Sequence, residues 1–478
     1  MRLYTKVAYN TIIQIVGKFI STVLGVVAIA IMARYLGQAG FGEYTTIITF
    51  LSFFGIIADL GLTLVTVQMI SRPGVDENKV LNNLFSLRLV TAIVFLGLAP
   101  LIIVFFPYSI LVKTGVLITS LSFLCIALNQ ILVGLFQKKL RMDKVAIAEV
   151  IGRVILIIGV ILSVKLNYGL LGIMTATVIA SLINFILHFV FSRAFVRIKL
   201  RFDFGLWKNI ISKSWPLAIT IVFNLIYLRA DTLILSLIKS QSEVGIYGAA
   251  YKVIDVLITL PFMFAGIILP ILTLSWMKKN VIQFKKILQK SFDFMVILAL
   301  PMIVGTQFVA NEVMTMVAGK EFNISGSVLK ILIIATGAIF LGCMFSHAII
   351  ALGKQKKIIG AYIFTSLTAL AGYLFFIPKF SYIGAAWVTI YSEVIIALAA
   401  VYYVWKYSRF LPNFKVFVRA LAATAVMATV LYIIPFSFYS SITGLIIFLG
   451  IGSLVYFSFL YLFEGITKND IINLLNKD

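Results

Sequence analysis

Ten ionisable residues of this sequence lie at deep or near-deep positions of long apolar stretches, where a charge is energetically costly and therefore informative. If such a stretch crosses a bilayer, each charge at its centre costs on the order of 2.5 to 3.5 kcal/mol and is expected to face protein or water. Six are cations and four are acids: Lys18, Arg88, Arg153, Arg229, Lys252, Lys330, Asp59, Asp231, Asp255 and Glu393. The surplus of cations suits the binding of an anionic group such as a diphosphate.

The depth of each residue separates the candidates. Arg88 and Lys330 lie near the ends of their stretches, so we expect their side chains to reach the membrane surface by snorkelling. The deeper cations are the candidate substrate-binding residues: Lys18, Arg153, Arg229 and Lys252. Three of the acids are the candidates for binding a coupling proton or sodium ion: Asp59, Asp231 and Asp255.

Pairing of these charges between helices is the alternative to ligand binding. Lys252 and Asp255 are three residues apart on one helical face, so they are expected to pair with each other. Arg229 and Asp231 are two residues apart and point to opposite faces, so Arg229 requires a partner elsewhere.

The stretches that hold these residues are long enough to cross a membrane. The chain has 478 residues, of which 62% are hydrophobic and 12% charged, and this composition excludes a soluble protein. The stretches of roughly 20 apolar residues that a transmembrane helix requires cover residues 11–33, 44–70, 84–106, 115–136, 146–164, 170–191, 214–238, 246–275, 291–316, 327–351, 358–377, 383–405, 416–434 and 441–463. The sequence therefore predicts an all-α integral membrane protein with about fourteen transmembrane helices.

The distribution of Lys and Arg predicts the orientation of these helices, because positive charge is retained on the cytoplasmic side. With the N-terminus inside, few of the 40 Lys and Arg residues fall on the outer side: Arg34, Lys113, Lys165, Lys239, Lys320 and Lys379. Both termini are therefore predicted to be cytoplasmic. The net charge of +23 then reflects membrane topology, and no nucleic acid is expected as a partner.

A faint internal repeat indicates how the helices are organised. The Gly-X-Tyr pattern of residues 42–44 recurs at 245–247, and residues 172–177 match 384–389 at a similar offset. Chance recurrence in apolar sequence is the alternative. Two parallel six-helix repeats predict a cleft between two bundles, as in transporters. The predicted domains are a six-helix lobe at 1–200, a second at 201–405, and two additional helices with a cytoplasmic tail at 406–478.

Signatures of enzymes do not occur in the sequence. It contains no HExxH, GxSxG or P-loop pattern, so we expect a protein that is not an enzyme and that uses no cofactor and no metal. Its two histidines are His188 and His347. Either could relay a proton, but a single histidine near a helix end is more often a packing residue held by a hydrogen bond.

Six segments spread over nearly the whole chain carry a further signal. They are RYLGQAGFGEY at 34–44, ADLGL at 58–62, DTLIL at 231–235, EVGIYGAAYKV at 243–253, the region of Pro261 and Pro270, and ALGKQKK at 351–357. Together they resemble bacterial polysaccharide flippases of the O-antigen type. These belong to the multidrug/oligosaccharidyl-lipid/polysaccharide exporter superfamily.

The resemblance implies two six-helix lobes around a cationic cavity and transport by alternating access. The implied substrate is a polyprenyl (undecaprenyl) diphosphate-linked oligosaccharide, moved to the outer leaflet of the bacterial cytoplasmic (inner) membrane for O-antigen, capsule or similar polysaccharides. By position, Lys18, Arg229 and Lys252 fall on helices that would line the cavity, whereas Arg153 lies on a more peripheral helix. The implied partners are membrane lipids, a polysaccharide polymerase, glycosyltransferases, and H+ or Na+.

Two other functions stay open on the sequence. A cation-coupled multidrug exporter of the same superfamily would be expected to have an acidic cavity with aromatic walls, and the deep Lys and Arg residues argue against it. A membrane-embedded glycan polymerase or ligase would be expected to carry a large outer loop, whereas the outer breaks of this chain are short.

Overall fold

The structure is a computed structural model that describes residues 3–70, 76–439 and 441–466. Over these residues the chain forms α-helices and two short 3-10 helices, with no strand. In chain order the α-helices are α1 (Leu3–Asp59), α2 (Leu62–Ile70), α3 (Glu77–Ile103), α4 (Ile110–Lys138), α5 (Met142–Lys165), α6 (Gly169–Ser192), α7 (Phe204–Ile238), α8 (Gln241–Met277), α9 (Val281–Ala318), α10 (Ser325–Ala351), α11 (Ile359–Ser408), α12 (Lys415–Ile433), α13 (Phe436–Tyr439) and α14 (Ile442–Leu462). The prediction of an all-α multi-pass membrane protein is confirmed.

Twelve helices in the described part of the chain are long and apolar enough to cross a membrane. Two of them contain one residue with non-helical dihedral angles: Gly37 in α1 (φ 65°) and Ser381 in α11 (φ 52°). An unbroken helix of the 57 residues of α1 would be about 85 Å long, far more than the roughly 30 Å of a bilayer core. Each of these two elements is therefore a pair of helices joined at a kink.

The number and orientation of the spans stay predictions. The sequence divides α1 and α11 into two spans each, which is how its count of about fourteen arises, whereas the structure has them as single kinked elements. The cytoplasmic placement of the termini concerns residues 1–2 and 467–478, which lie outside the described residues.

The chain divides into two compact units, residues 1–248 and residues 249–478. The first unit contains α1 to α7 and the beginning of α8, and the second contains the rest of α8 and the helices that follow. The predicted domains at 1–200, 201–405 and 406–478 follow the sequence repeat, and they stay a prediction.

Polar residues fix where several helices begin. The side chains of Asp76, Ser109, Asp203, Asn280 and Ser441 each accept a backbone N–H in the first turn of α3, α4, α7, α9 and α14, respectively. The first N–H groups of a helix have no partner inside it, so such caps stabilise the helix start.

A close contact between α1 and α8 lies within the first unit and involves both copies of the Gly-X-Tyr repeat. A Cβ atom on Gly42 would lie 1.7 Å from the carbonyl oxygen of Gln241, and one on Gly245 would lie 2.0 Å from that of Gln38. Glycine is what allows the two backbones to approach this closely. The Thr46 hydroxyl also donates to Gln241 Oε1 at 2.9 Å. Matching positions of the repeat therefore pack against each other.

The second unit has an extensive apolar core. Its main cluster of buried side chains comes from α8 to α12 and α14, and it includes Phe284, Phe345 and Phe448. Tyr456 is buried in the same cluster, where its hydroxyl donates to the carbonyl of Ile297 at 2.8 Å. A hydroxyl that finds a backbone acceptor can be buried in such a core at little cost.

Candidate functional site

The first polar feature of the first unit is a break between α1 and α2. The helix stops at Asp59, passes through Leu60 (φ 46°) and Gly61 (φ 73°) in the left-handed region, and resumes at Leu62. Asp59 accepts hydrogen bonds from Thr63, at 3.3 Å from its backbone N–H and at 2.5 Å from its hydroxyl. The carboxylate therefore caps α2, and the predicted span at 44–70 is interrupted.

Arg88 of α3 lies against this break. Its Nη1 is 2.7 Å from Asp59 Oδ1, its Nε donates to the carbonyl of Ala127 at 3.1 Å, and its Nη2 donates to Gln130 Oε1 at 2.5 Å. Arg88 is only 1% exposed. The expectation that it snorkels to the surface was wrong, because an acid and two acceptors satisfy the guanidinium inside the protein.

A polar cleft of about 400 Å³ lies between α1, α4, α5 and α6 in the first unit. Hydrogen bonds between helices hold its wall: Asn129 Nδ2 of α4 donates to Asn184 Oδ1 of α6 at 2.7 Å, and Asn184 Nδ2 donates to the carbonyl of Ala148 at 2.9 Å. Ser122 and Ser181 share a further hydrogen bond of 2.6 Å. We call this space the polar cleft.

The polar cleft brings two of the four predicted substrate-binding cations together. Lys18 of α1 and Arg153 of α5 both line it, with Glu149 one turn before Arg153. The Arg153 guanidinium lies against α1, since a Cβ atom on Gly25 would be 3.7 Å from its Cζ. The sequence ranked Arg153 as a weaker candidate because its helix was expected to be peripheral, whereas here it shares a cleft with Lys18.

A second cleft, also of about 400 Å³, adjoins the buried ion pair. Asp59 and Arg88 line it, and three α4 residues, Phe123, Ile126 and Gln130, line both this cleft and the polar cleft. Gln130 accepts from Arg88 and also lies 3.0 Å from the Thr63 hydroxyl. One face of α4 therefore connects the ion pair at the helix break to the polar cleft.

The predicted residues of α7 lie elsewhere in the first unit. Asp231 is fully buried and accepts from the Thr232 N–H at 2.5 Å and from the Tyr247 hydroxyl of α8 at 2.6 Å. Arg229 interacts electrostatically with Asp231 although the two side chains leave opposite faces of the helix. Neither residue is among those that line the two clefts.

The remaining predicted residues belong to the second unit. Lys252 Nζ and Asp255 Oδ2 are 3.9 Å apart, so the predicted pairing is confirmed. Both side chains are about a quarter exposed, and a loose, partly exposed pair of this kind stabilises little. Glu393 of α11 is 6% exposed, and its Oε1 has no hydrogen-bond partner in the part of the chain that the structure describes.

An apolar pocket of about 380 Å³ lies in the second unit. It is lined by α8, α9, α10, α12 and α14, with Pro301, Leu431 and Phe448 in its wall. Its chemistry is opposite to that of the polar cleft, since it suits hydrocarbon and offers no charge.

Sequence reasoning missed several polar residues of the polar cleft: Asn129, Gln130, Glu149 and Asn184. A usable signal was present, because Glu149 and Arg153 are four residues apart and so are Asn184 and His188, which places each pair on one helical face. Among the described residues no group of three His, Cys, Asp or Glu side chains is arranged to hold a metal ion. What the cleft offers is two cations and several hydrogen-bond donors, which suits an anionic, hydroxyl-rich ligand.

Comparison with known proteins identifies a family and several relatives of this chain. A model of the family described as "Polysaccharide biosynthesis protein" matches residues 7–276, more than half of the chain. A protein of Shigella flexneri named "Putative O-antigen transporter" is 25% identical over 418 residues, which are 84% of this chain and 97% of that protein. A Haloferax volcanii protein named "Probable low-salt glycan biosynthesis flippase Agl15" is 24% identical over 479 residues, covering 96% and 97%.

Solved structures share the fold. The lipid II flippase MurJ in an inward closed conformation matches with a TM-score of 0.78 at 19% identity, over 96% of this chain and all of that one. An inward-facing multidrug resistance transporter of the MATE family matches with a TM-score of 0.66 at 15% identity, over 84% and 97%. At such low identities these matches establish the fold alone.

Proposed function

The chain belongs to the polysaccharide biosynthesis protein family, and on this basis we propose that it is a flippase for a polyprenyl (undecaprenyl) diphosphate-linked oligosaccharide. It moves the headgroup from the cytoplasmic to the outer leaflet by alternating access, for surface polysaccharide assembly. The names of the two relatives, a transporter and a flippase, support this function. The resemblance seen in the sequence is confirmed by the family match.

The observation that carries the proposal is the polar cleft with Lys18 and Arg153 on its wall. A headgroup of sugars and two phosphates cannot enter hydrocarbon unaided, whereas its polyprenyl tail can remain in lipid. The protein therefore has to supply cations for the diphosphate and hydrogen-bonding groups for the sugar. Arg153 can hold phosphate oxygens through two parallel N–H groups, while Lys18 acts as a point charge.

The other two predicted cations have separate roles in this proposal. Arg229 and Lys252 would bind the headgroup at another stage of the transport cycle, which requires each to exchange an acidic neighbour for phosphate. Asp231 and Asp255 are those neighbours.

Coupling to an ion gradient is part of the proposal. Asp59, Asp231 or Asp255 would bind H+ or Na+ more tightly in one conformation than in the other, which is the condition for driving the cycle. Each of these acids has a partner in the present conformation, so the ion would compete with that partner.

The cellular setting is proposed on the same basis. The protein would reside in the bacterial cytoplasmic membrane, surrounded by membrane lipids, and act as a transporter without enzymatic activity. Glycosyltransferases would build its substrate on the cytoplasmic face, and a polysaccharide polymerase would use it on the outer face.

The experiment that tests the flippase function measures the sidedness of lipid-linked oligosaccharide in cells that lack the protein. The wild type should relieve accumulation on the cytoplasmic face, whereas Arg153→Ala and Arg229→Ala should not. Lys165→Ala is the matched control for Arg153, because Lys165 is an exposed cation at the end of the same helix. If Arg153→Ala and Arg229→Ala both restore export at normal expression, the cationic site is wrong while the flippase function survives.

An exporter of organic cations is the second candidate, because MATE transporters share the fold. The two cations of the polar cleft disfavour it, since they would repel a cationic drug. Unchanged glycolipid sidedness together with altered drug accumulation in the deleted strain would replace the flippase by this function.

A further inference from the structure

The hydrogen bond of His188 fixes the form of its imidazole ring. His188 of α6 is 1% exposed, and its Nδ1 lies 2.9 Å from the carbonyl oxygen of Asn184. A carbonyl can only accept, so Nδ1 carries the hydrogen. In the neutral ring Nε2 is then a bare acceptor.

Among the described residues no group donates a hydrogen bond to His188 Nε2, which is itself buried. His188 nevertheless lines the polar cleft, so it belongs to a polar space rather than to an apolar core. A buried acceptor without a donor is unfavourable, and a proton is the smallest ligand that it can take up.

The charged groups around His188 come from two neighbouring helices. Burial of the ring disfavours a positive charge on it, whereas the electrostatic interaction with Glu149 of α5 favours one. Arg153 of α5 and Lys18 of α1 line the same cleft and oppose it. On α4, the ring of Phe136 lies 6.0 Å from the imidazole, and Asn129 lines the cleft without carrying a charge.

The three acids predicted to couple transport to an ion each have a partner for the carboxylate, which distinguishes them from His188. Asp59 is paired with Arg88, Asp255 is paired with Lys252, and Asp231 accepts from Tyr247. In the described part of the chain no group donates to His188 Nε2, and His188 lines the cleft that holds the candidate substrate cations.

We propose that His188 is a proton-binding site of the polar cleft, with Glu149 as the acid that stabilises its protonated form. The inference rests on the proposed function only in naming the anion as a lipid-linked diphosphate. With a neutral imidazole, Lys18, Arg153 and Glu149 give the cleft one net positive charge, and protonation doubles it. Proton and anion binding are then linked, so each tightens the other.

The two histidines of the chain make a direct test possible. His347 lies in the second unit, where its Nδ1 is 2.8 Å from the carbonyl oxygen of Cys343. In the full-length His347→Gln protein, labelled with 15N-histidine, the only imidazole signal is that of His188. If this variant does not fold, comparison of wild type with His188→Gln identifies the same signal by difference. The measurement is an NMR titration between pH 5 and pH 8.

The probe for the linked anion is UDP-glucose, a diester of diphosphate whose own phosphate charges do not change in this pH range. We expect the His188 signal to titrate reversibly, with a midpoint that UDP-glucose raises by about one pH unit, as a nearby opposite charge does. In Glu149→Gln the midpoint should fall by a similar amount. Lys144→Gln is the matched control on α5, because Lys144 lies over the ring of Phe191 and does not line the cleft.

Two results would overturn the proposal. One is a His188 signal that stays neutral throughout the titration. The other is a midpoint that neither Glu149→Gln nor UDP-glucose changes. Proton binding to His188 would then be independent of the charges in the polar cleft. The titration involves no transport, so a chain that fails the glycolipid assay but titrates as expected would refute the flippase function and leave the proton site intact.

Discussion

The two compact units bury different chemistry in their interiors. The first contains the Asp59–Arg88 ion pair and the polar cleft. The second contains an extensive apolar core and an apolar pocket, and its Lys252–Asp255 pair is loose and partly exposed. The buried ion pair and the cleft cations that suit an anion thus lie in the first unit.

The matching residues of the two sequence segments are packing residues and not charged ones. Residues 42–44 and 245–247 match in sequence, and their glycines pack against each other where α1 meets α8. No such match links the charged residues of the two units. In the first unit the matching positions therefore take part in helix packing.

The largest expected difference between the units concerns their ion pairs. Arg88→Ala leaves the Asp59 carboxylate buried without its cation, and we expect a loss of about 3 to 5 kcal/mol in stability. Lys252→Ala removes one side of a partly exposed pair and should cost about 1 kcal/mol or less. Thermal unfolding of the purified proteins in detergent measures both.

A double variant separates charge from packing at the buried pair. Asp59→Asn with Arg88→Gln removes both charges, so it should recover part of the stability that Arg88→Ala loses. Equal losses of stability for Arg88→Ala and Lys252→Ala would show that the ion pairs of the two units do not differ in strength.

The next largest effect concerns glycines on α8. Gly245→Ala would place a Cβ atom 2.0 Å from the Gln38 carbonyl oxygen, so α1 and α8 must separate. We expect a loss of about 1 to 3 kcal/mol. Gly266→Ala is the matched control, because a Cβ atom there would meet nothing within 4 Å, and alanine should stabilise the helix by about 0.5 to 1 kcal/mol. If Gly245→Ala unfolds at the same temperature as wild type, the contact between α1 and α8 is looser than the structure has it.

Transport should depend on the cations of the first unit more than on those of the second. Arg153→Ala is expected to lower flipping about tenfold with little change in stability, since a hydrogen bond to a charged group contributes about 1.5 to 3 kcal/mol. Lys252→Ala should have a smaller effect because Lys252 is paired with Asp255. Outward movement of a fluorescent lipid-linked oligosaccharide in proteoliposomes measures both, and a larger effect of Lys252→Ala would shift the site to the second unit.

The smallest expected effect lies at the surface of the first unit. Asp203 accepts the Leu206 N–H at the start of α7 and pairs with Lys79 at 2.9 Å, and these contacts hold the pKa of its carboxyl below the usual value. Its folded pKa is therefore lower than its unfolded pKa, so its contribution is present at neutral pH and is lost as pH falls through the folded value. Asp203→Asn should unfold slightly earlier than wild type at pH 7 and alongside it in strong acid. A difference that persists in acid would assign the effect to packing.

Hydropathy predicted the all-α membrane architecture, because it is a local property of the sequence. The partners of the deep charges were less accessible. Lys252 and Asp255 are one turn apart and were predicted to pair. Arg88 was expected to snorkel because it lies near the end of its apolar stretch, and its partner Asp59 on another helix was not recognised. The polar cleft was missed for the same reason, since its walls come from four helices whose contacts no single stretch reveals.

The buried ion pair at the helix break also constrains how the protein is made. Asp59 and Arg88 leave the ribosome separately, and each would be costly in lipid on its own. Their mutual satisfaction requires α3 to be present beside the end of α1. The first spans of this chain would therefore have to assemble together in the membrane, because the Asp59 carboxylate stays without its cation until α3 has been inserted.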